Sequence, residues 1–148
     1  MNPFDLSNKV ICVTGASSGI GRQCAVSCSR MGATVVLLAR NEQRLHETLS
    51  IMDNPDKHVI IPVDLTEYAT VELVVKNIVS QVGRISGVLH CAGISTTLPL
   101  KLVTPEKLDE FFQANVFSAY NLTREVCKMG NFSKEGGSIV FFLSLIHI

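Results

Sequence analysis

The sequence predicts an α/β fold built on a doubly wound parallel sheet, and three observations predict it. Five short apolar runs alternate with segments of helical periodicity along the 148 residues, the order that places parallel strands between two helix layers. The run 34–39 is continuously apolar after its opening threonine, as a strand covered on both faces requires. Between the first run and the first helical segment stands the octet 14–21, Thr-Gly-Ala-Ser-Ser-Gly-Ile-Gly, a glycine-rich turn joining a strand to a helix.

Each element follows from local pattern. Residues 9–14 read as the first strand and 19–31 as the first helix, with Ile20, Cys24, Ala25 and Cys28 on one face and Gly32 closing it. Residues 34–39 form the second strand; Asn41 caps a helix running to about Met52, and Asn54-Pro55-Asp56 ends it. Residues 58–63 are the third strand, followed by Asp64-Leu65 and a helix capped by Thr66. That helix carries Val71, Val74, Val75, Ile78, Val79 and Val82 at helical spacing. Residues 85–91 are the fourth strand and 95–103 a loop. Thr104-Pro105 then opens one long helix, a cap residue followed by proline in the first turn. Its stripe holds Leu108, Phe111, Phe112, Asn115, Val116, Ala119, Leu122 and Val126, and Gly136-Gly137 turns into a fifth strand over 138–143. With no repeat, low-complexity stretch or linker, residues 1–148 read as a single domain.

Composition narrows the function classes. Hydrophobic residues make up 47% and charged residues 18%, the balance of a globular chain. Thirteen basic and 13 acidic side chains cancel; the basic ones are scattered and aromatics few, which argues against a nucleic-acid surface. No apolar run approaches a membrane span, and the first nine residues lack a basic stretch or a cleavage-like site, so a cytoplasmic location is expected. Five cysteines, an odd count in apolar surroundings, argue against a disulfide framework. Cys24 and Cys28 imitate a metal pair at i,i+4, but no other Cys or His has matching spacing. Buried reduced thiols and no metal are expected.

The octet carries the chemistry. Its glycines let the backbone approach a ligand closely, while amides and the helix dipole face an anion, which points to a dinucleotide at the first strand-to-helix turn. The spacing G-x-x-x-G-x-G, at Gly15, Gly19 and Gly21, resembles the cofactor turn of the short-chain dehydrogenase/reductase family. The resemblance extends over nearly the whole chain but only the N-terminal part of such an enzyme. It implies a Rossmann-type sheet with five strands present and the last strands of the fold missing.

The resemblance also assigns roles. Gly15, Ser17, Ser18, Gly19, Ile20 and Gly21 would hold pyrophosphate and ribose, and Asp64, beside Leu65, would contact adenine. His90-Cys91-Ala92-Gly93 stands where the family usually has Asn-Asn-Ala-Gly. Cys91, Ala92 and Gly93 would therefore line the cofactor path, with His90 a hydrogen-bonded structural residue. Asn115, expected buried on the apolar stripe and hence hydrogen-bonded, would anchor the network that positions a catalytic lysine. Ser144 matches the catalytic serine that donates to the substrate carbonyl.

At the end of the second strand, NAD-binding relatives place an acidic residue on the ribose 2′-hydroxyl. Here the residues are Ala39-Arg40, and a guanidinium pairs with a 2′-phosphate, so NADP(H) is favoured over NAD(H). The family's proton transfer needs a tyrosine with a lysine four residues on. Of the only tyrosines, Tyr68 opens the third helix and Tyr120 is followed at that distance by Arg124, so neither fits the dyad. The expected parent activity is NADP(H)-dependent interconversion of a small-molecule carbonyl and a secondary alcohol, similar to 3-oxoacyl, 3-ketosphinganine or steroid reductases, in a homo-oligomer. The 148-residue chain itself is expected to be inactive, its apolar end 145–148 unlike the family's polar loop. The alternative is a non-catalytic dinucleotide-binding module or sensor.

Overall fold

The computed structural model describes residues 3–142. Five parallel strands form one sheet in the order β3-β2-β1-β4-β5: β1 Val10–Thr14, β2 Thr34–Ala39, β3 Val59–Pro62, β4 Gly87–His90 and β5 Ser138–Phe141. The helices are α1 Gly19–Arg30, α2 Glu42–Ser50, α3 Tyr68–Val82, α4 Pro105–Phe112 and α5 Ser118–Val126. The strand order reverses between β1 and β4, and a doubly wound sheet opens a ligand crevice at that point. The register brings the strand ends level: Thr14 pairs with Leu38 and His90, and His90 with Phe141. All the connections that leave the C-terminal ends therefore meet along one edge.

Side chains alternate across a strand, and the sheet accordingly separates two cores. Val10, Cys12, Val36, Leu38 and Val88 pack with Val71, Val75 and Ile78 of α3 and Leu122 and Val126 of α5. Ile11, Val13, Val35 and Leu37 pack with Ala25, Val26 and Cys28 of α1 and Leu45 of α2. Asn41 caps α2 as its sequence predicts, its side chain accepting from the Arg44 amide, and Thr104 does the same for α4 through the Lys107 amide.

Several expectations need correction. The long helix after Thr104 is interrupted: Gln113–Phe117 form a π-type turn between α4 and α5. One residue beyond a regular turn rotates the helix face by about 100°. Leu108, Phe112 and Val116 are consequently exposed, whereas Leu122 and Val126 are fully buried. Asn115, expected in the buried stripe, lies in this π turn and is exposed. Thr66 does not cap α3. Its hydroxyl and amide both donate to Asp64 Oδ1, at 2.7 and 2.9 Å, an Asx-type turn that removes Thr66 from the capping position. Ile85 lies outside β4 because its pairing is an isolated bridge to Phe132. Leu100–Leu102 form a short 3₁₀ turn inside the expected loop. Of the cysteines, Cys12 and Cys28 are buried, Cys24 and Cys91 half-buried, and Cys127, just past α5, exposed. Among the described residues no helix is long and apolar enough to cross a membrane.

Candidate functional site

The turn after β1 is shaped by close approach of backbone to backbone. Gly15 has φ +65°, and a Cβ there would lie 2.9 Å from Ala92 Cα and N and from Cys91 O. A Cβ on Gly21 would lie 2.2 Å from Gly15 O, so the first turn of α1 sits directly on the loop. Thr14, 1% exposed, joins the turn to the end of β4: its Oγ1 accepts from the amides of Cys91 at 3.1 Å and Ala92 at 3.0 Å.

Around this turn the strand ends enclose a cleft of about 1240 Å³. All the residues expected to hold a cofactor line it: Gly15, Ser17, Ser18, Gly19, Ile20 and Gly21 on the turn, Arg40 after β2, Asp64 and Leu65 after β3, and Cys91, Ala92 and Gly93 after β4. Asn41 and Arg44 of the α2 entry join Arg40, and Glu110, Gln113, Ala114 and Ser118 close the far side. Arg40 and Arg44 form no ion pair among the described residues. The side-chain and backbone hydrogen bonds from Thr66 hold the Asp64 carboxyl below its usual range, and the Arg40 guanidinium adds to the effect. Burial, with the Cys24 and Cys28 thiols against it, pushes Cys91 up to about 12, so it is a neutral thiol packed against the core under α1 and α2.

A nicotinamide dinucleotide fits the donor set of this cleft. Backbone amides and the α1 N-terminus suit a pyrophosphate, unpaired guanidinia suit a further phosphate, and the carboxylate suits an amine donor.

Asn115 does not line the cleft but reaches the loop that does. Its Oδ1 accepts from the Ile94 amide at 2.7 Å and its Nδ2 donates to the Ile94 carbonyl at 2.9 Å. His90 points to the opposite side of β4 from Cys91. Its ring stacks on Phe141 at 4.6 Å between centroids, Nε2 hydrogen-bonds Thr123 Oγ1 at 2.9 Å, and Nδ1 has no partner among the described residues. Burial pulls it down to about 4, so it is a neutral structural ring. Ser144 lies outside the described residues, as do residues 145–148.

Two contributors have no assigned role in the sequence analysis: Thr14, which ties the turn to the end of β4, and Arg44, which joins Arg40 on the cleft wall. Arg44 was accessible in principle, since Asn41 as cap places it on the first turn of α2 beside Arg40. Thr14 acts through its contact with the end of β4, 77 residues further on, for which the chain offers no local pattern.

The model of the short chain dehydrogenase family matches residues 9–147. Among curated relatives, the uncharacterized oxidoreductase YciK of Escherichia coli is 32% identical over 95% of this chain and 58% of its own length. The 3-dehydrosphinganine reductase of Danio rerio is 31% identical over 84% of this chain and 39% of its own length. Among solved structures, the F189W actinorhodin polyketide ketoreductase with NADPH superimposes with a TM-score of 0.81 at 26% identity. That match covers 88% of this chain and 51% of the ketoreductase. The chain thus spans about half the length of the relatives it matches.

Proposed function

The chain belongs to the short chain dehydrogenase family, and we propose that it is the cofactor-binding part of an NADP(H)-dependent oxidoreductase that interconverts a carbonyl compound and a secondary alcohol. One observation carries the cofactor preference: Arg40 and Arg44, without ion-pair partners among the described residues, stand on the cleft wall where a carboxylate would repel a 2′-phosphate. When bound, a nicotinamide cofactor supplies or accepts the hydride. This chain's residues bind and orient. The Ser17 and Ser18 amides would hold the pyrophosphate, Arg40 would pair with the 2′-phosphate, and the Asp64 carboxylate oxygen not held by Thr66 would accept from the adenine amino group. Asn115 fixes the loop carrying Gly93 and Ile94. Ser144 is proposed as donor to the substrate oxygen, steadying charge as hydride is transferred.

The substrate reading is a small carbonyl or alcohol. Homo-oligomerisation is proposed with it, because Leu108, Phe112, Val116 and Tyr120 leave apolar surface exposed on α4, the π turn and α5. The test of the cofactor reading is thermal unfolding with and without ligand. NADPH at 100 times its Kd should stabilise the protein by about 2.7 kcal/mol, and NADH at the same concentration by clearly less. No shift with either nucleotide sinks the reading, and a larger shift with NADH reverses the preference.

A further inference from the structure

The peptide groups of the glycine turn are held from behind. Thr48, on α2 and fully buried, places its Oγ1 2.9 Å from the Ala16 carbonyl and 3.1 Å from the Arg44 carbonyl. The same oxygen accepts from Arg22 Nε at 3.0 Å. Because that lone pair faces Arg22, the single hydroxyl proton is left for the carbonyls, and Ala16 is the nearer. Arg22 Nη2 donates to the Ser17 carbonyl at 2.7 Å and to Glu47 Oε2 at 3.1 Å. Two consecutive carbonyls of the turn are therefore fixed by side chains of α1 and α2.

A trans peptide unit is planar, with its N–H opposed to its C=O. Fixing the Ala16 carbonyl fixes the Ser17 amide, and fixing the Ser17 carbonyl fixes the Ser18 amide, each pointing away from the helices that hold it. Neither amide has an acceptor among the described residues, and both serines line the cleft. Successive unsatisfied amides in a turn make an anion-binding concavity, and such donors bind best when they need no reorganisation.

We propose that Arg22 and Thr48 are positioning residues that aim the Ser17 and Ser18 amides at a pyrophosphate, and so set the affinity of the cleft for dinucleotides. The proposal rests on the dinucleotide reading above. It also makes α2 part of the phosphate site: the helix whose entry carries Arg40, Asn41 and Arg44 is tied by Thr48 to the turn itself.

The test compares NADPH with adenosine 2′-monophosphate, which keeps the adenine and 2′-phosphate but has no pyrophosphate. Thr48→Val, which keeps the shape and removes the hydroxyl, should weaken NADPH about tenfold, leave adenosine 2′-monophosphate unchanged, and be rescued by Thr48→Ser. Arg22→Gln should do the same, with partial recovery in Arg22→Lys through the Ser17 carbonyl; it carries the test if Thr48→Val fails to fold. Variants that bind NADPH like the wild type, or lose both ligands equally, overturn the positioning role while leaving the dinucleotide reading intact. A wild-type protein that binds neither ligand overturns both together.

Discussion

Asn115 pairs with Ile94 as a neighbouring strand would, accepting from its amide and donating to its carbonyl at 2.7 and 2.9 Å. The pairing is possible because Gly93 leaves room for it: a Cβ on Gly93 would sit 2.7 Å from Asn115 Oδ1. The π turn supplies the other half of the fit, since it turns Asn115 away from the stripe shared by Leu122 and Val126 and towards the loop.

Gly93→Ala and Asn115→Ala should therefore be strongly non-additive. Gly93→Ala displaces Asn115 and should cost about 1–2 kcal/mol in the wild type, through the lost pair of hydrogen bonds, but close to nothing once Asn115 is alanine. Denaturant unfolding of the four species of the cycle measures the coupling. Full additivity would show that the two residues do not share a constraint.

Thr14→Val should loosen the junction between the glycine turn and the end of β4. It keeps the shape of a side chain that is 1% exposed but removes the acceptor of the Cys91 and Ala92 amides. The Ala92 amide would be left unsatisfied and the Cys91 amide would keep only its bond to the Leu89 carbonyl at 3.2 Å, a loss of about 1–2 kcal/mol, with Thr14→Ser retaining most of the stability. Equal losses in the two variants would assign the effect to packing of the methyl group.

Acid should destabilise the protein well above the range in which carboxylates titrate. Burial holds His90 at about 4, below its ordinary 6.5, so between those values the unfolded chain binds more protons than the folded one. The contribution of the neutral ring is complete above pH 6.5 and declines towards pH 4, a loss of roughly 2 kcal/mol at pH 5. His58 is lowered by burial in the same direction, so His90→Asn should flatten the profile between pH 7 and 5 without abolishing its slope. An unchanged profile in that variant would place the titration elsewhere.

Arg40→Asp should weaken NADPH by about a hundredfold, the loss of a charge-assisted pair plus new repulsion, and change NADH only a few-fold. Fluorescence titration with both nucleotides reads the ratio. Equal losses would show that Arg40 does not read the 2′-phosphate.

The strand-to-helix rhythm, the glycine turn and the caps Asn41 and Thr104 were legible because each depends on a few neighbouring residues. The π turn was not. Leu108 to Val126 keeps an unbroken helical spacing on paper, and an inserted residue changes only the phase, so the stripe predicts a buried Asn115 where the structure exposes it. Thr66 misled for a similar reason: a hydroxyl two residues after Asp64 can cap a helix or close an Asx turn, and here Asp64 wins it. The segments of the cleft were readable one by one, whereas the roles of Thr14, Arg22 and Thr48 lie in contacts across 77, 5 and 32 residues of chain, with only the middle one local.

The division of the interior by the sheet has a consequence for how the molecule responds to a ligand. The turn, Arg22, Thr48 and Arg40 are rooted in the core under α1 and α2, while Asp64 and Asn115 belong to elements packed on the core of α3 and α5. No apolar side chain is shared between the two. Only β1 and its neighbours, and whatever lies across the cleft, connect them. A molecule spanning from Ser17 to Asp64 would add a second tie, across the cleft, between two helix layers that otherwise meet only through the sheet.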